Sequence, residues 1–150
     1  MPLPLFSRLP DLAEDSLGVR IWYFDALATV VDQTTGDTMT SELADYLSEQ
    51  IERAVSRRAW ASQGKLVRYV HDWSSCQNYD LDARKALIAW GRASSSGSSG
   101  TFLKMPEEAS PFLRIAASTA ASVIRMGGGK MTLVSDLGPF LSELNASEAH

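Results

Sequence analysis

The chain reads as an α/β protein: a single domain with a mixed, mostly parallel sheet of about five strands and helices packed on it, in the order β-β-α-β-α-β-α-β-α. Three observations carry that reading. Two apolar runs rich in β-branched and aromatic residues, Val19–Phe24 and Ala28–Asp32, stand close together near the start. After them, strand-like runs alternate with amphipathic stretches, which implies right-handed crossovers between parallel neighbours. With 150 residues, 45% hydrophobic and 21% charged, the chain can bury roughly 70% of its unfolded surface in one core without a disulfide or metal staple.

Residues 1–16 are expected to form an N-terminal arm, 17–144 the domain and 145–150 a C-terminal tail; prolines at 2, 4 and 10 mark the arm. The first two strands are joined as a hairpin through Asp25-Ala-Leu27. A Thr34-Thr-Gly-Asp37 turn leads to Thr40 or Ser41 as an N-cap. Leu43, Leu47, Ile51 and Val55, at steps of four, then predict an amphipathic helix with Glu49 and Arg53 paired on its wet side.

Lys65–His71 is the third strand, and a polar stretch follows it. Asp80 is expected to cap a second helix with Ala83, Ala86, Leu87 and Trp90 on one face. The run Ser94–Gly100 predicts a flexible loop. Thr101–Met105 is the fourth strand, stopped by Pro106; Ser110-Pro111 pairs an N-cap with proline at the first helical position. The third helix spans Pro111–Met126 and ends at Gly127-Gly-Gly129 as a left-handed stop. Lys130–Val134 is the fifth strand, and Ser135 or Asp136 caps a last helix carrying Leu137, Phe140, Leu141 and Leu144.

Several function classes are disfavoured at once. Fourteen basic residues against eighteen acidic ones, a net charge of −4, are dispersed, which argues against nucleic acid or an anionic membrane as partner. A lone cysteine, Cys76, forms no internal disulfide and fits a reducing cytoplasm, and His71 with His150 cannot build a Cys/His zinc site. No metal or other cofactor is expected. The N-terminus lacks the apolar core of a signal peptide, and Pro111–Met126, broken by Arg114 and Arg125, falls short of a membrane span.

The element order, with Asp72 closing a strand and the following turn running into Tyr79-Asp80-Leu81-Asp82-Ala83, resembles the STAS and SpoIIAA-like domains, the anti-sigma-factor antagonist family, over about Val19 to Leu144. That resemblance implies a bacterial, cytoplasmic signalling module that binds protein partners through this loop and helix start. In the family the helix begins with an Asp-Ser-Ser-Gly type signature whose first serine is phosphorylated. Here the match is Asp80-Leu81-Asp82-Ala83, and Leu81 cannot accept phosphate.

The candidate partner-binding residues are Asp72, Trp73, Ser74, Ser75, Tyr79, Asp80, Leu81, Asp82 and Arg84, at the carboxyl end of a strand where open α/β sheets place binding crevices. Asp80 and Asp82 suit a helix N-terminus, and Trp73 and Tyr79 suit interface anchors. Ser74 and Ser75 are the alternative phosphate acceptors. Ser74, Ser75 or Cys76 beside His71 would make a nucleophile and base, but neither a Gly-x-Ser-x-Gly elbow nor a second histidine within the domain accompanies them, so no catalytic residue is assigned. Gly127–Lys130 follows a helix rather than opening one, which is the wrong polarity for a phosphate loop. Asp25, Asp32 and Asp37 read as turn residues.

The third helix has a narrow polar stripe, Arg114, Ser118, Ser122 and Arg125 with Thr119 beside it. Its excess apolar surface implies either burial inside the domain or a homodimer through residues 111–126. The expectation is a non-enzymatic regulatory or scaffolding module that binds protein partners. The alternative is a small apolar or lipid-like ligand held between the sheet and the third helix.

Overall fold

In the computed structural model, which describes residues 2–148, the chain forms one α/β domain. Its six-stranded sheet comprises β1 (Leu12–Glu14), β2 (Val19–Phe24), β3 (Thr29–Thr34), β5 (Val67–Asp72), β7 (Ser98–Lys104) and β8 (Met131–Val134), ordered β1-β2-β3-β5-β7-β8. A two-residue parallel ladder joins β4 (Thr38–Met39) to β6 (Asn78–Tyr79) beside it. Four helices complete the fold: α1 (Ser41–Arg57), α2 (Leu81–Ala93), α3 (Pro111–Met126) and α4 (Gly138–Glu148). The first two pairings of the large sheet are antiparallel and the remaining three parallel.

The β2–β3 hairpin closes through a single 3-10 turn at Asp25–Leu27 and an Ala28 held at φ +44°, a left-handed conformation unusual for alanine. From β3 onward the sheet grows one strand at a time in one direction. Right-handed crossovers taken in one direction put their helices on one face, so α1, α2 and α3 share a side. Strand alternation sorts the side chains accordingly. Val19, Ile21, Tyr23, Val30, Tyr69 and Leu103 face these helices, whereas Trp22, Phe24, Val31 and Val70 face α4 and the N-terminal arm.

The helix ends follow local chemistry. Thr40 Oγ1 accepts from the Leu43 amide at 3.1 Å, and Ser110 Oγ from the Leu113 amide at 3.1 Å with Pro111 at the first helical position. Asp136 Oδ1 accepts from the Gly138 amide at 2.8 Å. The stop after α3 uses Gly128, at φ +92°, as its left-handed residue.

Four expectations need correction. Asp80 occupies the N-cap position of α2 with extended backbone, yet its carboxylate accepts no capping bond. The Ser94–Gly100 run is not a loop throughout: Ser98–Gly100 begins β7, because β5 supplies a ladder partner that local propensity does not reveal. Gly100 is buried there, and a Cβ would stand 3.3 Å from the ring of Phe102. The N-terminal arm contributes β1, and its Phe6 packs edge-on against Trp22 at 5.2 Å. The expected tail is helical through Glu148, and residues 149–150 lie outside the described residues.

Candidate functional site

Two chemistry-bearing residues stand side by side on adjacent parallel strands. Asp32 of β3 is in register with His71 of β5, and both side chains point to the helix-covered face. Asp32 is fully buried. Its Oδ2 lies 2.5 Å from His71 Nδ1, and its Oδ1 accepts from Trp73 Nε1 at 2.6 Å. A buried carboxylate is tolerated only when paired and hydrogen-bonded, and these two ring N–H groups meet that need. The turn role expected for Asp32 needs correction: it stands mid-strand, in the core, because β3 runs on to Thr34.

An aromatic wall surrounds the imidazole. The His71 ring tilts against Trp73 at 4.7 Å and meets Trp90 edge-on at 5.6 Å, while Tyr69 stacks near it at 6.3 Å. Trp90, on α2, is fixed from behind by a 2.8 Å bond from its Nε1 to Glu52 of α1. Burial raises the pKa of the Tyr69 and Tyr79 phenols, so both hydroxyls stay protonated.

This wall borders a cavity of about 390 Å³ between the sheet, α2 and α3. Its size falls within the usual range for small-molecule sites. Tyr69, His71 and Leu103 line it from the sheet, Leu87 and Trp90 from α2, and Ala116, Ala117 and Ala120 from α3. The space exists because α3 presents alanines where larger side chains would fill it. Further along, the helices touch: a Cβ at Gly91 of α2 would stand 2.7 Å from Ile124 Cδ1 of α3. Helix contact at Gly91 and alanines elsewhere therefore leave a gap between the two helices.

The residues singled out from sequence divide into three groups. Trp73 and Tyr79 border the cavity, Trp73 being buried and Tyr79 half-buried, and Arg84 lies half-buried at its edge, 5.9 Å from the Phe112 ring. Asp72, Ser74 and Ser75 build the turn after β5. Asp72 Oδ1 accepts from the Ser74 amide and hydroxyl, and Ser75 Oγ donates to the Gly36 carbonyl at 2.6 Å. Asp80, Leu81 and Asp82 are exposed, and Leu81, at 58%, also stands at the cavity's edge.

Cys76 is fully buried and its thiol pKa is raised, by burial first, so it is poorly prepared as a nucleophile. Asp25 accepts from Trp60 Nε1 at 3.0 Å and Arg58 Nε at 3.1 Å; Asp37 accepts from the Thr38 hydroxyl. Among the described residues no group of three His, Cys, Asp or Glu could hold a metal, and no helix is long and apolar enough to cross a membrane.

Sequence reasoning placed a candidate pocket between the sheet and the third helix but missed Asp32 and its partner His71 as features of it. The signal for Asp32 was an acid inside the apolar run Val30-Val-Asp-Gln-Thr34, two residues from Val30 and so on the same face. No family model matches the chain, and no curated protein or solved structure is significantly similar to it.

Proposed function

We propose that the protein binds a small, largely apolar molecule in the cavity between the sheet, α2 and α3. The observation that carries this reading is the cavity itself: aromatic and aliphatic walls with a few convergent polar groups, the usual composition of a ligand site. It also accounts for the alanine face of α3, which as plain core packing would leave an unfilled void that lowers stability. Native mass spectrometry of protein purified without denaturant tests it, with Ala117→Leu and Ala120→Leu as cavity-filling controls. A co-purifying mass that the controls lose supports the reading. An empty wild type whose melting temperature no apolar probe raises overturns it.

A second reading has one observation in its favour: Leu81 is exposed between the exposed acids Asp80 and Asp82, at the helix start where the STAS resemblance implies partner binding. Under that reading Asp80→Lys with Asp82→Lys abolishes stoichiometric recovery of a protein partner and leaves small-molecule binding intact. Loss of neither, or of both, counts against it.

A further inference from the structure

We infer that the molecule held in this cavity carries a hydrogen-bond donor, a phenol or alcohol hydroxyl, that is received by Nε2 of His71; the inference rests on the ligand-binding reading above. The carboxylate of Asp32 can only accept, so the proton between it and His71 sits on Nδ1. In its neutral form an imidazole held in that tautomer presents a lone pair on Nε2, the far edge of the ring. Among the described residues Nε2 has no hydrogen-bond partner, although His71 is only 4% exposed.

The Tyr69 hydroxyl is likewise without a partner on a side chain 4% exposed. Buried polar atoms are ordinarily satisfied. The one fully enclosed side-chain atom lacking a partner among the described residues is the Tyr23 hydroxyl, so Nε2 and the Tyr69 hydroxyl retain an opening. The space that both residues border is the cavity.

Charge placement selects a neutral donor over an anion at this point. Asp32 already places a full negative charge against the same imidazole, and a second carboxylate on Nε2 would crowd two like charges around one ring. The charged residues that line the cavity, Arg84 and Lys85, both belong to α2, one half-buried and the other exposed. A hydroxyl on Nε2 leaves its own oxygen free to accept from a neighbouring donor, a role open to the Tyr69 phenol.

Three matched probes decide the matter by titration calorimetry: 4-phenylphenol, 4-methoxybiphenyl and biphenyl-4-carboxylate. The phenol is expected to bind at least about tenfold tighter than the ether, because a site built around a hydroxyl rejects the analogue lacking it. His71→Phe should remove that difference and still bind the ether. A measurement on unmodified protein guards against an unfolded variant: the nitrogen-15 resonance of His71 Nε2 should move with the phenol and stay in place with the ether. Equal affinity for phenol and ether overturns the donor inference and leaves the ligand-binding reading standing. Tightest binding by the carboxylate overturns it in favour of a head group at Arg84 and Lys85. Binding of none of the three removes both readings together.

Discussion

The two ends of the helix-covered face are built from helices of nearly equal length, yet only one is filled. Over β2 and β3, α1 inserts Leu43, Leu47 and Ile51 against Ile21, Val30 and Met39, and every one of these is at most 1% exposed. Over β7 and β8, α3 buries Leu113, Ala121 and Ile124, while Ala116, Ala117 and Ala120 face open space. Both helices reach that face by the same handed crossover, so position does not explain the difference. Side-chain volume does. The sheet is closed where branched residues interdigitate and open where methyl groups stand alone, and the Asp32–His71 pair lies at the boundary between the two.

That contrast can be broken at the boundary first. Asp32→Ala leaves the His71 and Trp73 ring N–H groups without their acceptor, and unfolding in urea should show a loss of about 3–5 kcal/mol. A loss under 1 kcal/mol would show the pair to be dispensable. In the filled half, Leu47→Ala should cost about 3 kcal/mol, the usual result of emptying a closely packed site.

Alkaline pH tests the aromatic boundary. Burial, chiefly, raises the Tyr23 phenol to about 12 from an ordinary 10, and raises Tyr69 and Tyr79 as well. The unfolded chain therefore ionises first. Stability is complete below pH 10 and falls as pH rises toward the folded values, by on the order of 1 kcal/mol per tyrosine per pH unit. Tyr69→Phe should flatten this slope in pH-dependent denaturation, and an unchanged slope would show that the residue does not contribute to it.

In the open half the sign reverses. Ala120→Leu should raise stability by about 1 kcal/mol by filling space and should displace any bound apolar probe; destabilisation would mean that the cavity is too narrow at this point to admit a leucine. The smallest effect is expected on the outer rim. Phe112 is 73% exposed, and Phe112→Ser should change stability by less than about 0.5 kcal/mol and leave the assembly size seen by light scattering unchanged. A drop in assembly size with this change would instead support the homodimer through residues 111–126.

What was legible in sequence follows from how local each signal is. The four-residue steps of Leu43, Leu47, Ile51 and Val55, the Ser110-Pro111 cap and the glycine stop depend on neighbours within a turn or two, and the structure has all of them. Ser98–Gly100 became strand because β5, some 30 residues earlier, offered a ladder. The Asp32–His71 pair spans 39 positions and depends on strand register, which no local window contains. The alanines of α3 were visible as an oddity. Whether they met another helix, another molecule or empty space depended on where α2 and the sheet lay.

The way α4 returns has a consequence for how the domain assembles during synthesis. Strands β3, β5, β7 and β8 emerge from the ribosome in the order in which they add to the sheet, each finding its partner already made. The helices of one face arrive between them. The opposite face is finished only when α4 and the turn before it follow β8, bringing Leu137 and Leu144 over Trp22, Val31 and Val70, with Glu143 reaching Arg68 at 2.8 Å and Glu148 reaching Arg8 of the N-terminal arm at 3.0 Å. Until then a nascent chain exposes that apolar surface with only the arm across part of it. Transiently exposed apolar surface of this kind is prone to association, and the exposure ends as α4 docks.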